Sequence, residues 1–318
     1  MVRAAVQRLL DLLVVLLGVS LLVFLMIRLI PGDAVAIMLG ANSEVTPEAM
    51  AALRARVGLD QSMPVQYVTW LAKVLTGDLG TSLWTGRPIS GEIADHLAPT
   101  VELTVLALVF GITLSVPIGC LMAVARGKAA DVVMRIASIA GLTIPSFWLG
   151  LVLILVASVV APAWQTLGFT PIGEDLLGNL AQVALPAFVL ALPIVANQSR
   201  LVRSAMLDAL GQDYIRTARA KGASEWRVVM KHGLRNALIP FITSVGITAG
   251  TLISGSIVVE QVFAIPGLGR LVLGGIAERN YPLVQATILV MTSAFVVVNF
   301  VVDLLYAFID PRLRRAEG

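Results

Sequence analysis

Long apolar runs separated by short polar clusters dominate this chain, and six of them have the length a helix needs to cross a hydrocarbon core of about 30 Å, roughly 20 residues. They cover residues 9–30, 101–124, 132–160, 180–199, 237–259 and 283–309. Pro117, Pro145, Pro186 and Pro193 fall inside these runs and predict kinks, because neighbouring helices and local water can satisfy the backbone groups that a proline frees. Arg3 and Arg8 ahead of the first run give it the look of a secretory leader. The run is longer than the usual apolar core of about 7 to 15 residues, and it ends in RLIPGD without a small-x-small cleavage pattern. It is expected to be retained as the first span.

Between the first two runs the pattern changes. Thr46-Pro47-Glu48 reads as an N-cap, a first-turn proline and a first-turn acid, with Gly58 at a C-terminal cap position. A second short helix is predicted from Pro64 to Leu75, before Gly77, with Val65, Val68, Leu71 and Leu75 on one face. The chain thus divides into residues 1–30 (amino terminus and first span), 31–100 (a small helical outer module packed on the bundle) and 101–318 (a five-helix domain that contains a polar loop at 200–236). The fold class expected is an all-α polytopic membrane protein with six transmembrane helices.

Composition agrees: 58% of residues are hydrophobic and 14% charged, against about 25% charged in ordinary globular proteins. The mean hydropathy is +0.89. A net charge of +3 would by itself permit a nucleic-acid partner, but the placement of the charges follows membrane topology. Sixteen Lys and Arg lie on the side of the two termini, the second-to-third loop and the polar loop; six lie opposite, at Arg54, Arg56, Lys73, Arg87, Arg270 and Arg279, with Arg28 at an edge. The positive-inside rule then puts both termini and the polar loop in the cytoplasm. Lone Cys120 forms no internal disulfide, and His96 and His232 are too far apart in sequence to suggest a metal site.

The segment RTARAKGASEWRVVMKHGLRN, Arg216 to Asn236, carries seven basic side chains, His232 among them, against Glu225 alone. Helix formers run from about Ser204 to Lys221; Gly222 then allows the left-handed conformation that ends a helix, and Ser224 can cap the next. Two short helices joined at a sharp corner are expected, with a basic face and with Tyr214, Trp226, Val228 and Val229 as apolar anchors. A topogenic loop that merely touches lipid headgroups is the plain alternative.

The motif order here resembles the inner-membrane permease subunits of binding-protein-dependent ATP-driven importers. Their cytoplasmic loop carries E-A-A, three residues, a glycine, nine residues and I-x-L-P. This chain has Arg216-Thr217-Ala218, then Gly222, then His232-Gly233-Leu234-Arg235, so alanine, glycine and leucine match while glutamate, isoleucine and proline do not. Tyr214 to Gly222 followed by RNALIP is what the dipeptide and oligopeptide branch looks like. IPGD (30–33), VGLDQ (57–61), GDLGTS (77–82), IPSFWLG (144–150), VEQVFAIPGLGRL (259–271) and DLLYAFIDPRLR (303–314) extend the likeness over nearly the whole chain, and the long segment after the first span resembles the B-type member of paired B and C permeases.

The resemblance implies a type I ABC importer permease fold in the bacterial inner membrane, working by alternating access on di- or oligopeptides, with nickel or glutathione as other solutes of similar permeases. Its implied partners are a second, C-type permease, two cytoplasmic ATPase subunits that use ATP and Mg, and an extracytoplasmic binding protein. The loop at 200–236 would dock into an ATPase, through Tyr214, Arg216, Thr217, Ala218, Lys221, Gly222, Ala223, Ser224, Glu225 and Trp226. Thr217, Ala218 and Gly222 would form the packing core of that joint.

The chain carries no G-x-x-x-x-G-K-[ST] phosphate loop, since its Gly127-Lys128 pair is followed by alanine; no cofactor and no catalytic role are expected of it. In the fifth span Gly246, Gly250 and Ser254 recur every four residues, near Ser256 and Glu260. Such a stripe serves close helix packing or lines a wet passage, and Glu260 could meet a cationic group on a solute or hold an outer gate through Arg270 or Arg279. An intramembrane serine protease does not fit, because Leu252-Ile253-Ser254-Gly255 lacks the first glycine of G-x-S-G and neither histidine lies within a span. An ion-coupled transporter acting alone would need midspan ionisable residues and an inverted repeat, and the spans show little of either.

Overall fold

The computed structural model describes residues 2–28 and 60–309, with side chains at 9–26, 60–238, 240–252 and 255–302. It is built of helices: α1 (Val2–Arg28), α2 (Met63–Leu75), α3 (Ile89–Val124), α4 (Ala129–Thr143), α5 (Ser146–Val160), α6 (Leu176–Leu210), α7 (Asp213–Ala220), α8 (Glu225–Arg227), a π-helical stretch (Val228–Leu234), α9 (Arg235–Phe263), α10 (Leu268–Ala277) and α11 (Tyr281–Ile309). The expected helix at 46–58 lies outside the described residues.

Among the described residues, four helices are long and apolar enough to cross a membrane, and the count reaches six if each of two bent pairs is one span. The third apolar run is one such pair. Instead of a kink at Pro145, α4 and α5 meet at 105°, because Ile144 and Pro145 both take extended backbone and end the helical ladder. Pro186 and Pro193 behave differently. Both sit inside the continuous 35-residue α6, which has 61% of its apolar window buried, so packing on several sides holds the helix together through both prolines.

The chain forms two compact units. One comprises residues 1–98 and 270–296. In it, α2 lies against α1: Phe24 meets Tyr67 edge-on at 5.2 Å and Trp70 at 5.6 Å, and the Ser20 and Tyr67 hydroxyls share a 2.8 Å hydrogen bond. Of the apolar face read from the sequence, Val65, Val68 and Leu75 are exposed. The GDLGTS stretch leads into a tight loop closed by a Thr81–Pro88 bridge, and Asn280, fully buried, ties it down by donating to Ser82 Oγ at 2.8 Å.

The other unit comprises residues 99–269 and 297–318. One apolar cluster joins Leu103 and Ala107 of α3, Val183, Ala187, Leu190 and Ile194 of α6, and Leu252, Val259 and Phe263 of α9. A second cluster, nearer the polar loop, joins Ala123, Val202, Met206, Ala237 and Phe241, with Cys120 half-buried at its edge. The two clusters fix α6 against α9, the helix that continues from the basic corner.

Candidate functional site: the basic corner and the buried acid of α9

The polar loop is folded. The expected helix from Ser204 to Lys221 is interrupted at Gly211-Gln212: its first part completes α6 and its second is the eight-residue α7. At the end of α7, Gly222 takes φ +80°. Its N–H donates to the Arg219 carbonyl at 2.9 Å and the Ala223 N–H to the Ala218 carbonyl at 3.1 Å, the paired bonds of a Schellman ending. Nothing lies within 4 Å of where a Cβ on Gly222 would sit, so glycine is required here by the backbone and not by crowding within this chain.

Beyond the corner, Ser224 occupies the N-cap position in extended conformation; its carbonyl accepts from the Val228 N–H at 3.0 Å, but its side chain makes no capping bond. The second helix is not a separate short one. It runs from Glu225 through the π-helical stretch directly into α9.

The corner is held from inside and outside. Ile215 and Val228 are fully buried. Tyr214, half-exposed, receives a hydrogen bond on its hydroxyl from Asn236 Nδ2 at 2.7 Å, which ties α7 to the first turn of α9. Trp226, read from the sequence as an anchor, stands 74% exposed on the three-residue α8. Across the corner Arg219 donates to both carboxylate oxygens of Glu225, at 2.7 and 3.1 Å. This bidentate contact holds the Glu225 carboxyl below its ordinary range.

The outward surface is an open recess of about 450 Å³ lined by Tyr214, Thr217, Ala218, Lys221, Gly222, Ala223, Arg227 and His232. Thr217 is exposed and Ala218 half-exposed within it, and Arg216 stands beside it at the surface. The arrangement is a shallow basic socket with small side chains at its floor, fit to receive a protruding or acidic surface. Among the described residues no cluster of three or more His, Cys, Asp or Glu could hold a metal.

Behind the corner a second charge contact fixes α6. Asp131, in the first turn of α4, is buried and accepts from Arg203 Nε and a terminal nitrogen, both at 2.9 Å, with Arg135 at 3.6 Å. Arg203 and Arg135 count toward the positive side in the sequence, and their common partner, 72 residues from Arg203, is not visible there.

In the fifth span the small residues have separate roles. A Cβ on Gly246 would collide with Val302, and one on Gly250 would come to 2.6 Å from Asn299 Oδ1, so both let α9 lie close to α11. Ser254 has no described side chain. Ser256 and Glu260 are fully buried. The Glu260 carboxylate accepts from Thr100 Oγ1 and Ser256 Oγ, each at 2.8 Å, while Thr100 Oγ1 accepts from the Leu268 N–H at 2.8 Å. The turn after α9 folds over this acid. Ala264 adopts the left-handed conformation, and a Cβ on Gly269 would fall 2.8 Å from Glu260 Oε2 and 2.5 Å from the Ile257 Cα. The VEQVFAIPGLG stretch is therefore one device: an acid, a left-handed cap, and glycines that leave the carboxylate its place. Ile247, Thr251, Gly255 and Val258 remain as the exposed face of α9.

Comparison with known proteins gives a consistent answer. Residues 115–315 match the model of the binding-protein-dependent transport system inner membrane component, and residues 1–104 match the N-terminal model of that membrane component. The glutathione transport system permease protein GsiC of Salmonella choleraesuis (strain SC-B67) is 40% identical over 315 residues, covering 99% of each chain. Its counterpart in Escherichia coli (strain K12) is 39% identical over the same span, also covering 99% of each chain. A solved structure, an amino acid ABC transporter with histidines, is similar at a TM-score of 0.49 and 15% identity over 70% of this chain and 94% of that one. With a dedicated permease model covering most of its helical bundle and relatives aligned almost end to end, the chain belongs to the binding-protein-dependent transport system inner membrane components, the permeases of ABC importers.

Proposed function

We propose that this chain forms, with a second permease, the passage of an importer for short peptides or peptide-like solutes such as glutathione, and that its basic corner receives the movement of a cytoplasmic ATPase. The observation that carries the reading is the corner itself: a bonded turn with a shallow basic recess, joined without interruption to α9. A loop that only set topology would need charges and no fixed shape. Tyr214, Arg216, Thr217, Ala218, Lys221, Gly222 and Ala223 line or border the recess, and Ser224, Glu225 and Trp226 follow it along the chain. In this assembly ATP and Mg belong to the ATPase pair and the solute arrives on an extracytoplasmic binding protein. Both termini lie in the cytoplasm, by the distribution of Lys and Arg.

For the passage, the exposed face of α9 at Ile247, Thr251 and Gly255 is the surface available to a partner permease or to solute. Gly246 and Gly250 let the helix lie close to α11, and Ser256 and Glu260 brace the turn that follows. The glutathione-transport relatives favour a small γ-linked or ordinary peptide over a metal ion as solute.

Cysteine placed at Ala218 or Ser224 is expected to crosslink to the ATPase subunits in assembled transporter, and failure to do so in a folded complex would remove the docking assignment. The solute is tested in liposomes that hold the full complex. ATP-dependent uptake of glutathione or dipeptides is expected, whereas uptake by the isolated chain on an ion gradient would favour a secondary transporter.

A further inference from the structure

The helix α2 carries Lys73 as its sole charge in 13 residues, and its outward stripe is apolar: Val65, Val68, Ala72 and Leu75, at helical spacing, with Val68 64% and Leu75 79% exposed. A stripe of this kind standing in water is the informative exception in a folded protein. Its opposite face shows at what depth the helix sits. Tyr67 OH is 2.8 Å from Ser20 Oγ and 3.5 Å from the Leu17 carbonyl, and Phe24 meets both aromatic rings of α2.

These partners lie within the charge-free stretch of α1 that runs from Leu12 to Ile27. At about 1.5 Å per residue, Phe24 is about 6 Å and Ser20 about 12 Å inside the level of Arg28. Phe24 falls within the depth range, about 5 to 10 Å, at which amphipathic helices lie in a bilayer interface, with Ser20 just beyond it, and tyrosine and tryptophan are the residues that favour that interface. The serine and tyrosine hydroxyls satisfy each other, so neither needs water at that level. On α1 itself, Leu13, Val14, Leu17 and Leu21 are likewise apolar and exposed.

We propose that α2 lies embedded in the bilayer leaflet at the carboxy-terminal end of α1, with the Val65, Val68 and Leu75 stripe against lipid acyl chains. The module between the first two spans then grips the membrane surface rather than standing clear of it.

The test uses the full chain in phosphatidylcholine and phosphatidylglycerol nanodiscs, with Cys120→Ala as background and single cysteines at Val68→Cys, Val65→Cys and, as an aqueous reference, Gln61→Cys. The two stripe cysteines are expected to react with a membrane-impermeant maleimide at least about tenfold more slowly than the reference, because a thiolate does not form in hydrocarbon. A fluorophore attached to either should emit at shorter wavelength and be quenched by lipids that carry a nitroxide on the acyl chain. Labelling as fast as the reference, without lipid quenching, would put the stripe in water and overturn the proposal. Protection without lipid quenching would mean that protein covers it, and would overturn the proposal equally. Val65→Cys carries the test if Val68→Cys does not fold.

Discussion

Arg219 and Glu225 face each other across Gly222, with guanidinium nitrogens 2.7 and 3.1 Å from the two carboxylate oxygens. Six positions apart, they are not neighbours on any one helix, and the corner alone brings them together. Both side chains are substantially exposed, so water screens the pair and it only refines an angle that the left-handed glycine already sets.

Gly222→Ala should therefore loosen the corner by strain and not by collision. The cost expected for a side chain in the left-handed region is about 1 to 2 kcal/mol, with Gly222→Asn milder. Hydrogen exchange at the Gly222 and Ala223 amides is the direct measure: faster exchange in the alanine variant, with little change in the asparagine variant.

The same pair gives a pH dependence with a definite sign. Hydrogen bonds from Arg219 hold the Glu225 carboxyl below its ordinary value of 4.5. Its contribution is fully present above pH 4.5 and is lost as pH falls through the lowered folded-state value. Corner amide protection should hold at neutral pH and fall on acidification below that point, and Glu225→Gln should flatten this component.

Two glycines of α10 separate crowding from propensity. Gly269→Ala places a Cβ 2.5 Å from the Ile257 Cα, a backbone atom that cannot turn aside. Gly274 has nothing within 4 Å. Thermal unfolding in detergent should show a clear loss for Gly269→Ala, and for Gly274→Ala no loss or a gain of about 0.5 to 1 kcal/mol from improved helix propensity.

Removal of the Asp131 carboxylate leaves Arg203 beside a vacated buried site. Asp131→Ala should lower stability, and the double variant with Arg203→Ala should cost less than the sum of the two single changes. Denaturant unfolding of the four proteins of the cycle measures the coupling.

The spans were legible because length and apolarity decide them. The response to proline was not: Pro145 ends a helix and Pro186 does not, and the difference lies in neighbours that sit far away in the chain. At the corner, Gly222 and Ser224 announce themselves by residue type. Arg219 with Glu225, Asn236 with Tyr214, and Asp131 with Arg203 do not, since each pairing exists only after two helices have been placed. Glu260 carried a readable hint, because an acid followed by closely spaced glycines suggests a group that needs room. Its two hydroxyl partners, one of them 160 residues away, required the fold.

From Glu225 to Phe263 the backbone is helical throughout, with a wider π-helical turn but no intervening coil. A displacement applied at the socket thus crosses no loop on its way into α9, whose ladder lacks one bond at Pro240 and whose axis bends by 56° between Leu252 and Gly255, and a loose tether inserted after Leu234 would sever that mechanical line while leaving both ends properly shaped.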